Sequence, residues 1–258
     1  MENLKRIVIT GASSGIGAAL AERLGRAGHR LALAARREDE LQKVAQRIGG
    51  EMIVMATDVT RRGDVERLRD RAIAAFGYVD VWVNNAGRGI TRPVLDLTDS
   101  DFDTIMAVNV KSALYGMQAI VPHFMSRERG HLINVSSFLS RVPIATYRSA
   151  YNAAKAALNA LTANLRVDLA AKHPGIHVSL VMPGLVITDF ASNAVGGSPT
   201  LPPAVVAEGQ TAEQVAEAIA GVIDTPVAEL YTNPKHRDVA LRYYQDVGAF
   251  EREAAARR

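Results

Sequence analysis

TGASSGIG, residues 10–17, follows the β-branched run IVIT (7–10) and opens onto AALAERLGRAG (18–28), whose apolar residues recur at helical spacing. A glycine-rich turn between a strand and a helix is the context in which a phosphate-bearing ligand binds. Glycine tolerates positive φ and lets another group approach the backbone closely. The helix behind it presents unpaired N–H groups and a partial positive charge to a pyrophosphate. The spacing is Gly11-x3-Gly15-x-Gly17, which differs from the G-x-G-x-x-G of the general dinucleotide fingerprint.

Outward from this turn, strand and helix patterns alternate along the chain. LALAA (31–35), EMIVMATDV (51–59), VDVWVNNAG (79–87), HLINVSS (131–137) and IHVSLVMPG (176–184) read as strands, with VAELYT (227–232) as a seventh. Between them, 38–48, 63–77, 100–125 and 150–172 read as helices, the third with Ser100 as its N-cap. Near-continuous apolar strands bounded by helices predict a parallel sheet covered on both faces. The expectation is one α/β domain over 1–258, doubly wound around a mostly parallel seven-stranded sheet. The stretch 191–212 is rich in Gly, Pro and Ser up to residue 210 and lacks periodicity, so it is predicted as a substrate loop. Residues 235–258 are predicted to be helical, packed on the chain's own core or on a second copy.

Composition narrows the function. Of 258 residues 48% are hydrophobic, enough for a sizeable core, and the formal net charge is only +3. No basic stripe suggests nucleic acid; the pairs Arg61-Arg62 and Arg257-Arg258 read as solvated surface. There is no cysteine, so thiolate nucleophiles, disulfides and zinc–sulfur sites are excluded, which fits a reducing cytosol. No apolar run approaches the ~20 residues that cross a bilayer, and MENLKRIVIT runs too soon into the glycine turn to be a signal peptide. The six histidines show no metal-ligand spacing, and HExxH is absent. His123, His131 and His173 lie near element ends and read as surface or capping residues.

In SAYNAAKAALNAL (149–161), Tyr151 and Lys155 stand four residues apart, on one face of a helix. A free phenol, with pKa ~10, is too weakly acidic to serve as a base at neutral pH. A neighbouring ammonium would lower that value and make the pair a tunable acid/base. Ser137 ends a strand at the carboxyl edge of the sheet, where ligands of open α/β sheets bind. The adjacent Ser136 is its rival.

TGASSGIG, NNAG (84–87), INVSS (133–137), YNAAK (151–155) and PGLVIT (183–188) occur in this order. Together they resemble the shorter, ~250-residue members of the short-chain dehydrogenase/reductase family, whose spacing GxxxGxG matches. The resemblance implies a Rossmann-type fold, a nicotinamide cofactor and a homo-oligomer, tetramer or dimer. It assigns Ser137, Tyr151 and Lys155 to catalysis, with Asn109 holding a water that links Lys155 to solvent. Ser137 precedes Tyr151 by 14 residues, one more than is usual in the family. The cofactor would lie along Gly11, Ser13, Ser14, Gly15, Ile16 and Gly17. Asp58 and Val59 would meet its adenine, and Asn85, Ala86 and Gly87 its ribose. Lys155 would hold the nicotinamide ribose, with Val186 and Thr188 orienting the carboxamide.

An acidic residue after the second strand would repel a 2′-phosphate. This chain has Ala35 there, then Arg36 and Arg37, so the expected cofactor is NADP(H), with Ser13 as a further phosphate contact. Ser14 stands where relatives carry a second basic residue, which leaves the case mainly on Arg36. The expected reaction interconverts a ketone or aldehyde and an alcohol. A non-catalytic dinucleotide-binding regulator is an alternative, as is an enoyl reductase or dehydratase on the same fold. Phe138, Leu139, Tyr147, Leu185 and Phe190 are the expected pocket walls. They predict a neutral, moderately hydrophobic ketone. Arg141 and Arg148 flank the same loop and could grip a carboxylate, but arginines in such loops more often face solvent, which is the expectation for both.

Overall fold

The computed structural model of the chain describes residues 4–50 and 52–256. Arg257 and Arg258, read above as surface, lie outside the described residues, as does Glu51, the first residue of the expected third strand.

Seven strands form one parallel sheet: β1 (Arg6–Thr10), β2 (Arg30–Ala35), β3 (Met52–Ala56), β4 (Val81–Asn84), β5 (Gly130–Val135), β6 (Ile176–Met182) and β7 (Glu229–Tyr231). Their spatial order is β3-β2-β1-β4-β5-β6-β7. The doubly wound Rossmann-type sheet expected from the sequence is therefore present, and all of its pairings are parallel. Successive residues of a strand face opposite sides. Ile7 and Ile9 pack into a core with α1 (Gly15–Arg26), α2 (Glu38–Ile48) and a later helix, Ala212–Asp224. Val8 packs into the other core, beneath α3 (Arg62–Phe76), Ser112–Ser126 and Ser149–Ala170. Ile7, Val8 and Ile9 are all fully buried, which is why the strand reads as an unbroken apolar run.

The helix expected over 100–125 is interrupted. It divides into α4 (Asp99–Met106), a π turn over Ala107–Lys111, and α5 (Ser112–Ser126). Its cap is Thr98, not Ser100: the Thr98 hydroxyl accepts from the Asp101 N–H at 3.1 Å, while Ser100 lies inside the first turn. Helix α6 (Ser149–Ala170) follows β5. The stretch expected to be irregular carries a short helix, α7 (Pro203–Ala207), and is pinned by bridges Ile90–Val195 and Val186–Gln210. After α8 (Ala212–Asp224), the helical C-terminal segment is two helices, α9 (Lys235–Gln245) and α10 (Val247–Ala256). Ala240, Tyr243 and Phe250 pack on Phe138 and Val142, so the segment closes on the chain's own core.

His131 departs from its surface reading. It lies in β5, between β4 and β6, and is 5% exposed; its Nε2 is 2.8 Å from Ser179 Oγ. Burial, reinforced by His177 and Lys5, pushes its pKa down to about 3. No helix among the described residues is long and apolar enough to cross a membrane.

Candidate active site

In the strand order β3-β2-β1-β4-β5-β6-β7, connections from β1 proceed first to one side and then to the other. The crevice at such a switch point, outside the carboxyl ends of the strands, is where open α/β sheets bind ligands. Here it is a cleft of about 880 Å³. The turn after β1, the end of β2, the segments after β4 and β5, the start of α6 and the segment after β6 all line it.

The glycine turn has the form of a cradle. Gly11 and Gly15 have φ of 69° and 55°, in the region that suits glycine. Gly17 does not line the cleft; a Cβ there would lie 2.3 Å from the Gly11 carbonyl oxygen, so the glycine lets the helix close on the turn. Ser14 stands at the N-cap of α1 without a side-chain bond to the helix, which leaves the first N–H groups uncapped, and Ser14, Gly15 and Ile16 line the cleft. Thr188 packs beside Gly15, its Cβ 3.5 Å from where a Gly15 Cβ would stand. These features suit the pyrophosphate of a dinucleotide.

Beside the end of β2, Arg37 Nη2 donates to Ser14 Oγ at 3.0 Å and to Ser13 Oγ at 3.3 Å, tying the two arginines' segment to the turn. Arg36 is exposed at the rim. Asp58 accepts from the Thr60 N–H and hydroxyl at 3.0 and 2.7 Å. Burial pushes its carboxyl up, but these bonds and the Arg36 and Arg61 guanidiniums outweigh it and hold the pKa below the ordinary value. Asn85 Nδ2 donates to the Thr10 carbonyl at 3.0 Å, fixing the segment after β4 against the glycine turn.

Tyr151 and Lys155 project from the first turns of α6 and are 8% and 3% exposed. The Lys155 ammonium donates to the Val135 carbonyl at 2.9 Å and lies 5.7 Å from the centre of the Tyr151 ring. Burial lowers its pKa to about 8. Burial pushes the Tyr151 phenol up; the Ser137 hydroxyl and the Arg148 guanidinium oppose it. The i, i+4 spacing predicts that opposing role for Lys155, but the lysine is turned toward the end of β5, where its ammonium meets the Val135 carbonyl.

The two serines divide clearly. Ser136 Oγ donates to Asn159 Oδ1 at 2.6 Å, so its hydroxyl is engaged with α6. Ser137 faces Tyr151. Asn109 stands in the π turn behind the cleft wall. Its Nδ2 donates to the carbonyls of Arg88 and Ile105 at 2.9 and 3.0 Å, and its Oδ1 accepts from the Arg88 N–H at 3.2 Å. A Cβ at Gly87 would fall 3.0 Å from Asn109 Oδ1 and 3.5 Å from Lys155 Nζ, so this glycine is the spacer between the two.

Phe138, Leu139, Tyr147, Leu185 and Phe190 line the cleft. Phe138 also stacks on His236 at 4.1 Å, which places the start of α9 at the pocket wall. The sequence carried no signal for His236; Leu201, Pro202 and Val205, which also line the cleft, fall within the stretch 191–212 expected as a substrate loop, though the sequence marks none of them individually. Arg141 pairs with Glu229 at 2.6 Å. Arg148 does not face solvent as expected: it is 8% exposed and lines the cleft. Its position three residues before Tyr151, one helical turn away, was the available clue.

A family model described as short chain dehydrogenase matches residues 5–197. The chain belongs to the short-chain dehydrogenase family. It is therefore an oxidoreductase by family. An uncharacterized oxidoreductase of Staphylococcus epidermidis is 35% identical over 184 residues, 71% of this chain and 79% of that protein. A short-chain dehydrogenase/reductase of Burkholderia phymatum, in complex with NAD, superposes with a TM-score of 0.87 at 27% identity, covering 96% of each chain. An alcohol dehydrogenase of Thermococcus sibiricus, complexed with 5-hydroxy-NADP, gives 0.77 at 30% identity, covering 89% of this chain and 96% of that one. The cofactors of similar dehydrogenases thus include both nucleotides.

Proposed function

We propose that this chain is an NADP(H)-dependent oxidoreductase that interconverts a ketone or aldehyde and an alcohol, with Tyr151 as the acid/base. One observation carries the reading: Ser137, Tyr151 and Lys155 converge in the cleft whose other end is the glycine cradle. When bound, the nicotinamide nucleotide supplies a hydride to the carbonyl carbon, or takes one from the alcohol carbon. The Ser137 hydroxyl donates to the carbonyl oxygen and fixes its place. The Tyr151 phenol, which burial keeps protonated, delivers its proton to that oxygen as the alcohol forms. Lys155, with a pKa near 8, exchanges protons close to neutrality, and Asn109 shapes the turn through which they are resupplied.

The NADP(H) preference rests on Arg36 and Arg37 at the end of β2, where no carboxylate stands to repel a 2′-phosphate. Absorbance at the nicotinamide band across a panel of ketones, aldehydes and alcohols, with NADPH and NADH side by side, tests the whole reading. Turnover of carbonyl compounds with NADPH favoured is the expected result.

A further inference from the structure

Arg148 places a cation inside the pocket. It stands at the N-cap of α6, one turn before Tyr151, and is more than nine-tenths buried. Its guanidinium carbon lies 5.5 Å from the centre of the Tyr147 ring and 5.9 Å from that of Phe190. Phe190 in turn meets the Tyr151 ring edge-on at 5.6 Å. One aromatic ring thus touches both the phenol and the guanidinium. Gly89 leaves room for the group: a Cβ there would come within 2.6 Å of Arg148 Nη1.

The polar surroundings do not neutralise it. A guanidinium carries five N–H donors. Nη1 donates to the Ile90 carbonyl at 3.1 Å, and no carboxylate pairs with Arg148 among the described residues. The acids that line the cleft are elsewhere engaged or exposed: Asp58 is held by Thr60, and Asp189 and Glu208 are exposed. Removing a cation from water without a counter-ion is costly, and the cost falls when a ligand brings the opposite charge. The planar fork of arginine matches a carboxylate, two N–H groups to two oxygens.

We propose that Arg148 binds a carboxylate of the substrate, so that the chain acts on short oxo acids and the corresponding hydroxy acids rather than on neutral ketones. This rests on the Tyr151 reading for where the carbonyl sits. In reduction, oxo acid, reduced nucleotide and one proton give hydroxy acid and oxidised nucleotide. The hydride goes to the carbonyl carbon, the Tyr151 proton to its oxygen, and the carboxylate is unchanged.

The test compares 2-oxobutanoate and acetoacetate with their methyl esters, using purified protein and both reduced nucleotides. The acid of at least one pair is expected to exceed its ester in kcat/KM by tenfold or more, the range of a charge-assisted bond. Arg148→Met should reduce that ratio at least tenfold, through KM of the acid, and Arg148→Lys should keep part of it. Esters that match or outrun the acids in the parent protein would overturn the proposal. So would a folded Arg148→Met that loses acid and ester activity equally, since that marks a merely structural role for the bond to Ile90. If the parent turns over no carbonyl compound, the Tyr151 reading fails by itself. Calorimetry with 3-hydroxybutyrate and NADP⁺ then decides separately: binding that Arg148→Met abolishes upholds the carboxylate site, and no binding by the parent ends it.

Discussion

The Lys155 ammonium donates to the main-chain carbonyl of Val135 at 2.9 Å, on a residue 3% exposed, and burial holds its pKa at about 8 against an ordinary 10.5. Between those values the unfolded chain binds a proton that the folded chain does not. Stability therefore rises with pH across that window, and the cost of the buried charge is fully present below it. The shift corresponds to about 3 kcal/mol. Denaturant unfolding of the parent and Lys155→Met at pH 7 and pH 10 should show the parent gaining on the variant as the pH rises. A gap that does not change with pH would mean that Lys155 is not a buried cation.

Tyr151→Phe removes the proton donor and keeps the ring against Phe190. Folding and nucleotide affinity should stay near those of the parent, while turnover falls ~10²-fold or more. Circular dichroism, nucleotide titration and steady-state rates check the three parts. A folded variant with near-parent rates refutes Tyr151 as the acid/base.

The preference for NADPH over NADH should be about 10- to 150-fold in kcat/KM, the range of a charge-assisted bond to the 2′-phosphate. Asp in place of Ala35, combined with Arg36→Ser, should reverse it. Arg37→Ala, which frees Ser13 and Ser14 from their guanidinium partner, should weaken binding of NADPH more than of NADH. Equal kcat/KM for the two nucleotides in the parent removes the phosphate reading.

His131 offers a second linkage of the same sign, at lower pH. Its pKa falls from 6.5 to about 3 in the folded chain through burial, aided by His177 and Lys5. The unfolded chain binds the extra proton between those values, so stability is lost as the pH drops through them, at about 1.4 kcal/mol per unit. His131→Gln can still meet Ser179 and should lose about 2 kcal/mol less than the parent between pH 7 and pH 5. Unfolding curves with the same acid dependence would place the titration elsewhere.

The sequence by itself determined the sheet, because strand faces and helix faces are set by local periodicity: Ile7, Val8 and Ile9 announce a strand buried on both sides. It also determined the glycine turn and the Tyr151–Lys155 spacing, since i and i+4 share a helical face wherever the helix lies. The π turn at 107–111 was not legible, because a single extra residue in a helical turn leaves the apolar pattern almost unchanged. Nor was the environment of individual polar groups. Ser136 and Ser137 are neighbours in one motif, and only the packing of α6 on β5 engages one hydroxyl with Asn159 and leaves the other facing Tyr151. His236 reaches the pocket because α9 folds back onto Phe138, nearly a hundred residues away. Arg148 reads as a loop arginine until the segments carrying Ile90 and Phe190 close over it. Burial of a charge depends on what non-local chain packs around it, so tertiary structure alone decided that Arg148 is a buried cation lining the cleft.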